Sequence, residues 1–208
     1  LEGDLVGIDL KDGLNLLTCV LPADVDVIYH LAAQTSVEAS WFDPLHDADN
    51  LRMTQRLVHT YPNSRIIYTN SAAAIDKASP YGFSKWASAE YLKAFHENHV
   101  ICTLPNIYGP GSHSMVDIVK NSETVTVYGD GTNTRDYVHV EDIVKALVNA
   151  PKWPRGEFEL GSGIPTSVND LVKGRKVINA PARKEAKESI LKTTAPNWKP
   201  LIKLKDYL

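Results

Sequence analysis

Apolar residues gather in short blocks along this chain, and the blocks differ in period. Residues 5–9, 25–31, 64–69 and 100–104 are compact runs rich in Val, Ile and Leu, of a length suited to buried strands. The stretches between them repeat at helical spacing. From Asp47 onward, Leu51, Thr54, Leu57 and Val58 fall on one face. From Pro80 onward, Tyr81, Phe83, Trp86, Tyr91, Leu92 and Phe95 outline a longer amphipathic helix. Ser79 suits the N-cap of that helix and Pro80 its first turn. Strands alternating with helices predict an α/β protein, with a parallel sheet covered by helices on both faces.

The texture changes after Pro105. Residues 105–113 are loop-like, 124–128 alternate as a strand does, and Gly129-Asp130-Gly131 marks a turn. Residues 142–150 return to helical spacing, and 157–160 form a short strand before Gly161-Ser162-Gly163. The tail from Pro181 is mixed and charged. The expected organisation is a core over residues 1–108 and a small lobe mainly over 109–208, with 134–160 returning to the core.

Composition narrows the function classes. The 208 residues, 43% of them hydrophobic, suffice for a sizeable core, and a net charge of −3 gives no reason to expect nucleic acid. No apolar run approaches a bilayer span, and no secretory leader is read. Cys19 and Cys102 stand far apart in apolar surroundings, as thiols of a reducing, cytoplasmic compartment do. The seven histidines show no ligand spacing, so no metal is expected; His30 is assigned to packing. The chain opens on Leu1 as if inside an element. A fragment, or a chain with loops missing between apparent neighbours, is expected.

The sharpest chemical signal is Tyr81-Gly82-Phe83-Ser84-Lys85. Residues four apart on a helix share a face. A free tyrosine titrates near ~10, too high for a base at neutral pH, and a neighbouring ammonium favours the phenolate. The pair is a device for making Tyr81 an acid/base, with Lys85 expected to lower its pKa. Ser71 follows the strand at 64–69, at the carboxyl end where ligands bind in open α/β sheets.

With these motifs in order, the sequence resembles the extended short-chain dehydrogenase/reductases, especially the UDP-glucose 4-epimerase-like members. The likeness rests on Tyr29-His30-Leu31-Ala32-Ala33-Gln34, Asn50, Tyr68-Thr69-Asn70-Ser71-Ala72-Ala73, Ser79-Pro80-Tyr81 through Lys85, Asn106-Ile107-Tyr108-Gly109-Pro110-Gly111, Tyr128 to Gly131, and Arg135-Asp136-Tyr137-Val138-His139-Val140. Arg183 with Glu185 resembles a late arginine motif. The resemblance implies a Rossmann-type, doubly wound sheet with a small C-terminal substrate-binding lobe. It implies NAD as cofactor, a nucleotide-sugar substrate and a homodimer formed through helices. Ser71, Tyr81 and Lys85 would be catalytic. Asp9, Leu31, Ala32, Ala33, Gln34 and Asn50, with Tyr81 and Lys85, would meet the cofactor. Asn106, Arg135 and Arg183, with Ser71, would meet the substrate. Residues 5–9 would be the second strand of the dinucleotide fold.

The pattern is also incomplete. No G-x-x-G-x-x-G precedes Leu5, so residues 1–4 are read as the tail of a missing helix and the glycine loop as truncated or disordered. Ser71 and Tyr81 are close together, Leu104 runs straight into Pro105, and 172–180 is short; missing loops are expected at each. The family's dehydratases and decarboxylases place acids after the catalytic hydroxyl, where this chain has Ala72 and Ala73. That points to a 4-epimerase, with a nucleotide-sugar ketoreductase or a non-catalytic nucleotide-binding member as alternatives.

Overall fold

A computed structural model describes residues 3–208 apart from Pro44 and His46. In chain order its elements are β1 (Val27–His30), α1 (Ala39–Phe42), α2 (Ala48–Thr60), β2 (Arg65–Ser71), α3 (Ala73–Asp76), α4 (Pro80–Phe95), β3 (His99–Leu104), β4 (Asn106–Tyr108), α5 (Met115–Asn121), β5 (Thr124–Tyr128), β6 (Thr134–Arg135), β7 (Tyr137–His139), α6 (Val140–Asn149), β8 (Gly156–Glu159), β9 (Thr166–Ser167), α7 (Val168–Leu171), β10 (Lys176–Ala180), β11 (Glu188–Ser189) and α8 (Leu204–Tyr207).

The main sheet is parallel, in the order β1-β2-β3-β8. Its pleat sends alternate residues to opposite faces. Ile66, Tyr68 and Ile101 pack with Met53, Leu57, Val58, Ala89 and Leu92 of α2 and α4. Ile67, Val100 and Cys102 pack with Ile143 and Ala146 of α6 on the other side. The sheet is therefore doubly wound. Ile66, Ile67 and Tyr68 are almost wholly buried, each such side chain contributing about 1.5–3 kcal/mol of transfer free energy. A third core joins Val116 and Val119 of α5, Val125 and Val127 of β5, Tyr108, Tyr137 and Leu171. Around it β5 pairs with β10, β6 lies between β11 and β9, and β4 pairs with β7.

Three expectations change. Residues 5–9 are not a strand: Leu5 and Val6 are 73% and 68% exposed, and the chain turns into a 3-10 helix at Leu10–Asp12. Without a paired neighbour, an apolar run has nothing to complete its backbone hydrogen bonds. Of residues 1–4, the first two lie outside the described set, and Gly3 and Asp4 are not helical. Between Ser71 and Tyr81 lies α3, and Lys77, at φ 54, takes the left-handed conformation that ends α3 and turns the chain toward α4. After Leu104, β4 starts at Asn106, and β10 starts at Lys176. Helix α4 also turns a different face inward. Tyr81, Ser84, Lys85, Ser88, Ala89 and Leu92 are buried, whereas Phe83 and Phe95 are 54% and 64% exposed.

Candidate active site

The candidate site forms where the strands end. Ser71 is the last residue of β2, and its Oγ accepts the Ala73 N–H at 3.2 Å, which fixes the entry to α3. The Ser79 hydroxyl caps α4 by accepting the Gly82 N–H at 3.0 Å. Gly82 is required by close approach: a Cβ there would lie 2.2 Å from the Ala73 carbonyl oxygen. Helices α3 and α4 therefore meet backbone to backbone, which sets Tyr81 beside Ser71. The Ser71 hydroxyl is close enough to act on the Tyr81 phenol.

The protonation of Tyr81 differs from expectation. Burial raises its pKa, the nearby Ser71 hydroxyl offsets part of that, and the Asp47 carboxylate raises it further. Lys85 is not among the groups that set this shift; its ammonium lies over the Tyr68 ring, 4.3 Å from the centroid. Tyr81 thus holds its proton here. Lys85 is itself buried, at 3% exposure, and burial pulls its pKa down to about 7.

Asn50 is buried at the start of α2 and clasps the segment after β1. Its Oδ1 accepts the Gln34 N–H at 2.7 Å, and its Nδ2 donates to the Gln34 carbonyl at 3.1 Å and to Ser84 Oγ at 3.0 Å. The amide thus shapes the Leu31-Ala32-Ala33-Gln34 turn and ties it to α4. Ala32, Ala33 and Gln34 are half-buried and Leu31 is exposed, so this backbone lines the strand ends next to β2. His30 has the expected packing role: it is buried and contacts Thr54 at 3.0 Å.

The other candidates lie farther along. Asn106 is exposed at the start of β4, opposite Tyr137 of β7. Arg135 donates to Glu185 at 2.9 Å and to the Thr134 carbonyl at 2.8 Å. Arg183 stacks over Tyr128 at 3.5 Å and pairs with Glu38 at 3.2 Å. Each arginine therefore rests on its own carboxylate, Arg135 on Glu185 and Arg183 on Glu38. Asp9 stands apart: it caps the 3-10 helix, accepting the Lys11 N–H at 2.9 Å, and does not end a strand. Sequence reasoning passed over Asp47 and Asp136. The first was visible only as a helix start. The second, beside Arg135, is buried and accepts from Ser162 and Gly163. A cleft of about 600 Å³ lies on the outer side of α2 and α4, lined by Trp41, Arg52 and Phe83 among others, but by none of Ser71, Tyr81 and Lys85.

A parallel sheet wrapped on both faces, with a Ser–Tyr–Lys constellation at its carboxyl edge, defines a Rossmann-type α/β protein. The profile of the NAD dependent epimerase/dehydratase family matches residues 2–160, and the chain belongs to that family. It is 28% identical over 250 residues to a putative UDP-glucose 4-epimerase of Methanocaldococcus jannaschii, an alignment covering 99% of this chain and 80% of that protein. Because 250 aligned positions exceed 208 residues, at least 250 − 208 = 42 of them have no counterpart here. A UDP-glucose 4-epimerase of Mycolicibacterium smegmatis is 32% identical over 206 residues, covering 82% of this chain and 63% of that one. The solved structure of the UDP-glucose 4-epimerase of Thermotoga maritima with UDP-glucose superposes with a TM-score of 0.77 at 27% identity, covering 87% of this chain and 74% of that one. Dehydratases of nucleotide sugars also stand among the relatives. Among the described residues, no helix is long and apolar enough to cross a membrane.

Proposed function

We propose that this chain is a nucleotide-sugar 4-epimerase of the UDP-glucose/UDP-galactose type. The observation that carries the reading is Tyr81 set beside Ser71, with Lys85 one turn along the same helix and only Ala72 and Ala73 after Ser71. A methyl group moves no protons, so elimination of water has no acid or base at those two positions.

The polar groups here fit a ribose. Among the described residues Lys85 makes no ion pair. The buried Oδ1 of Asn70, next to Ser71, has no hydrogen-bond partner. Free donors and a free acceptor at a sheet's carboxyl edge suit a polyhydroxyl ligand. Lys85 and Tyr81 would hold the nicotinamide ribose of NAD, and the Leu31–Gln34 backbone would lie along the cofactor, set by Asn50. Bound NAD supplies a hydride acceptor that later returns the hydride. Ser71 holds the substrate hydroxyl. Tyr81 takes its proton as the sugar carbon is oxidised to a ketone, and gives the proton back after the keto sugar has turned over. When protonated, Lys85 would supply positive charge one helical turn from the phenol as it ionises. Arg135 and Arg183 would bind the diphosphate and Asn106 the region next to it.

Residues 1–108 would carry the cofactor, and 109–208 mainly the substrate, with 134–160 in the core. The outward Phe83 and Phe95 of α4 support a homodimer, and the two free thiols support a cytoplasmic setting.

The test is an NMR assay with added NAD and a panel of UDP-sugars. Interconversion of a 4-epimer pair without net NADH, lowered about 10²–10⁴-fold in Tyr81→Phe, is the expected result. Full activity in Tyr81→Phe, or no turnover across the panel, overturns the reading.

A further inference from the structure

Lys85 poses a physical problem that the proposed reaction does not answer. An ammonium at 3% exposure is costly unless something compensates its charge. Among the described residues no carboxylate is within ion-pair distance of it. What faces it is an aromatic ring: the Nζ sits 4.3 Å from the centroid of Tyr68, which is 1% exposed. Tyr68 grips the same residue a second time, its hydroxyl donating to the Lys85 carbonyl at 3.4 Å. Behind the ring stands His30, with ring centroids 5.2 Å apart.

We propose that Tyr68 is the positioning residue for Lys85: its ring face compensates the buried ammonium while leaving the N–H donors of that ammonium unoccupied. A carboxylate in the same place would accept those hydrogen bonds and point them away from a ligand. A ring attracts the charge through its quadrupole and takes none of the donors. The inference rests on reading Lys85 as the residue that meets the ribose, but its physical content concerns the free protein.

The other ionisable groups around Lys85 keep one charge state near neutrality. His30, from β1, is held down at about 3 by burial and by Lys85. Tyr68, from β2, and Tyr81, from the same helix, are both raised by burial. Helix α2 contributes Asn50 and Thr54, which do not titrate, and Asp47, whose charge acts on Tyr81. Lys85 is thus the group whose charge changes there.

The experiment titrates Lys85 in the full chain labelled with ¹³Cε-lysine, its signal assigned by loss in Lys85→Met. Position 68 is replaced by phenylalanine and then by phenylalanines of rising ring fluorination, which weaken the quadrupole at nearly constant shape. Tyr68→Phe is expected to keep the Lys85 midpoint within a few tenths of a pH unit. The most fluorinated ring is expected to lower it by about one unit. A midpoint constant across the folded series overturns the proposal. Neither sugar nor NAD is needed, so a failed epimerase assay and a failed titration are separate results.

Discussion

Asn50 and Gln34 form a two-point clasp, side-chain amide against backbone amide, with bonds of 2.7 and 3.1 Å. Asn50→Asp keeps an acceptor for the Gln34 N–H but sets a carboxylate against the Gln34 carbonyl and leaves that carbonyl without its donor. The variant is expected to lose about 1–3 kcal/mol in urea unfolding, and to bind NAD more weakly because the Leu31–Gln34 turn loosens.

Gly82→Ala tests the contact between α3 and α4. In an exposed helix this change stabilises by about 1 kcal/mol. Here the new Cβ would meet the Ala73 carbonyl at 2.2 Å, a backbone atom that cannot rotate away. The expected outcome is a loss of about 1–3 kcal/mol in thermal unfolding, with the Ser71–Tyr81 pair separated. Equal or greater stability would show that the two helices are not in contact.

Arg135 and Glu185 make a matched pair of predictions. A guanidinium presents a planar fork to a diphosphate and an ammonium does not, so Arg135→Lys is expected to weaken UDP binding about tenfold. Glu185 competes for the same guanidinium at 2.9 Å. Glu185→Gln is therefore expected to tighten UDP binding several-fold. Titration calorimetry at constant salt reads both, and parallel changes would remove Arg135 from the phosphate site.

Asp117 sets part of the acid stability. Burial pushes its carboxyl up, but hydrogen bonds from Ser112, Ser114, Tyr207 and the Gly109 N–H outweigh burial and bring it to about 2. A lowered folded-state pKa stabilises above the unfolded value and is lost as pH falls through the folded one. Unfolding free energy is expected to fall between about pH 4 and pH 2, with Asp117 adding at most one proton's slope, about 1.4 kcal/mol per pH unit. Asp117→Asn should be less stable at pH 7 and show a shallower slope in that window.

Much of the main sheet was legible because its information is local. Helix α2 carries its face in Met53, Leu57 and Val58, and α4 its start in Ser79-Pro80. The catalytic candidates were legible as motifs, since Tyr81 and Lys85 are one helical turn apart. Residues 5–9 misled because a short apolar run does not state whether a partner strand lies beside it. Helix α4 misled for a chemical reason. The site sits beneath it, so Ser84, Lys85 and Ser88 point inward and Phe83 and Phe95 outward, the reverse of what hydrophobicity alone selects. The resting places of Arg135 and Arg183 were invisible, because Glu185 and Glu38 lie 50 residues beyond the one and far before the other.

Two buried aspartates hold the far end of the chain, and this orders events in time. Asp142 accepts the N–H groups of Leu201 and Ile202, 59 and 60 residues away, and Asp117 accepts the Tyr207 hydroxyl, 90 residues away. Neither carboxylate has these partners until residues 201–207 have been synthesised. A chain growing from its N-terminus can close the β1–β3 sheet early, yet must carry α5 and α6 with those donors missing. Residues 201–207 then act as a late latch, and the lobe around Tyr108, His139 and Tyr207 is completed only after they have joined the folded part.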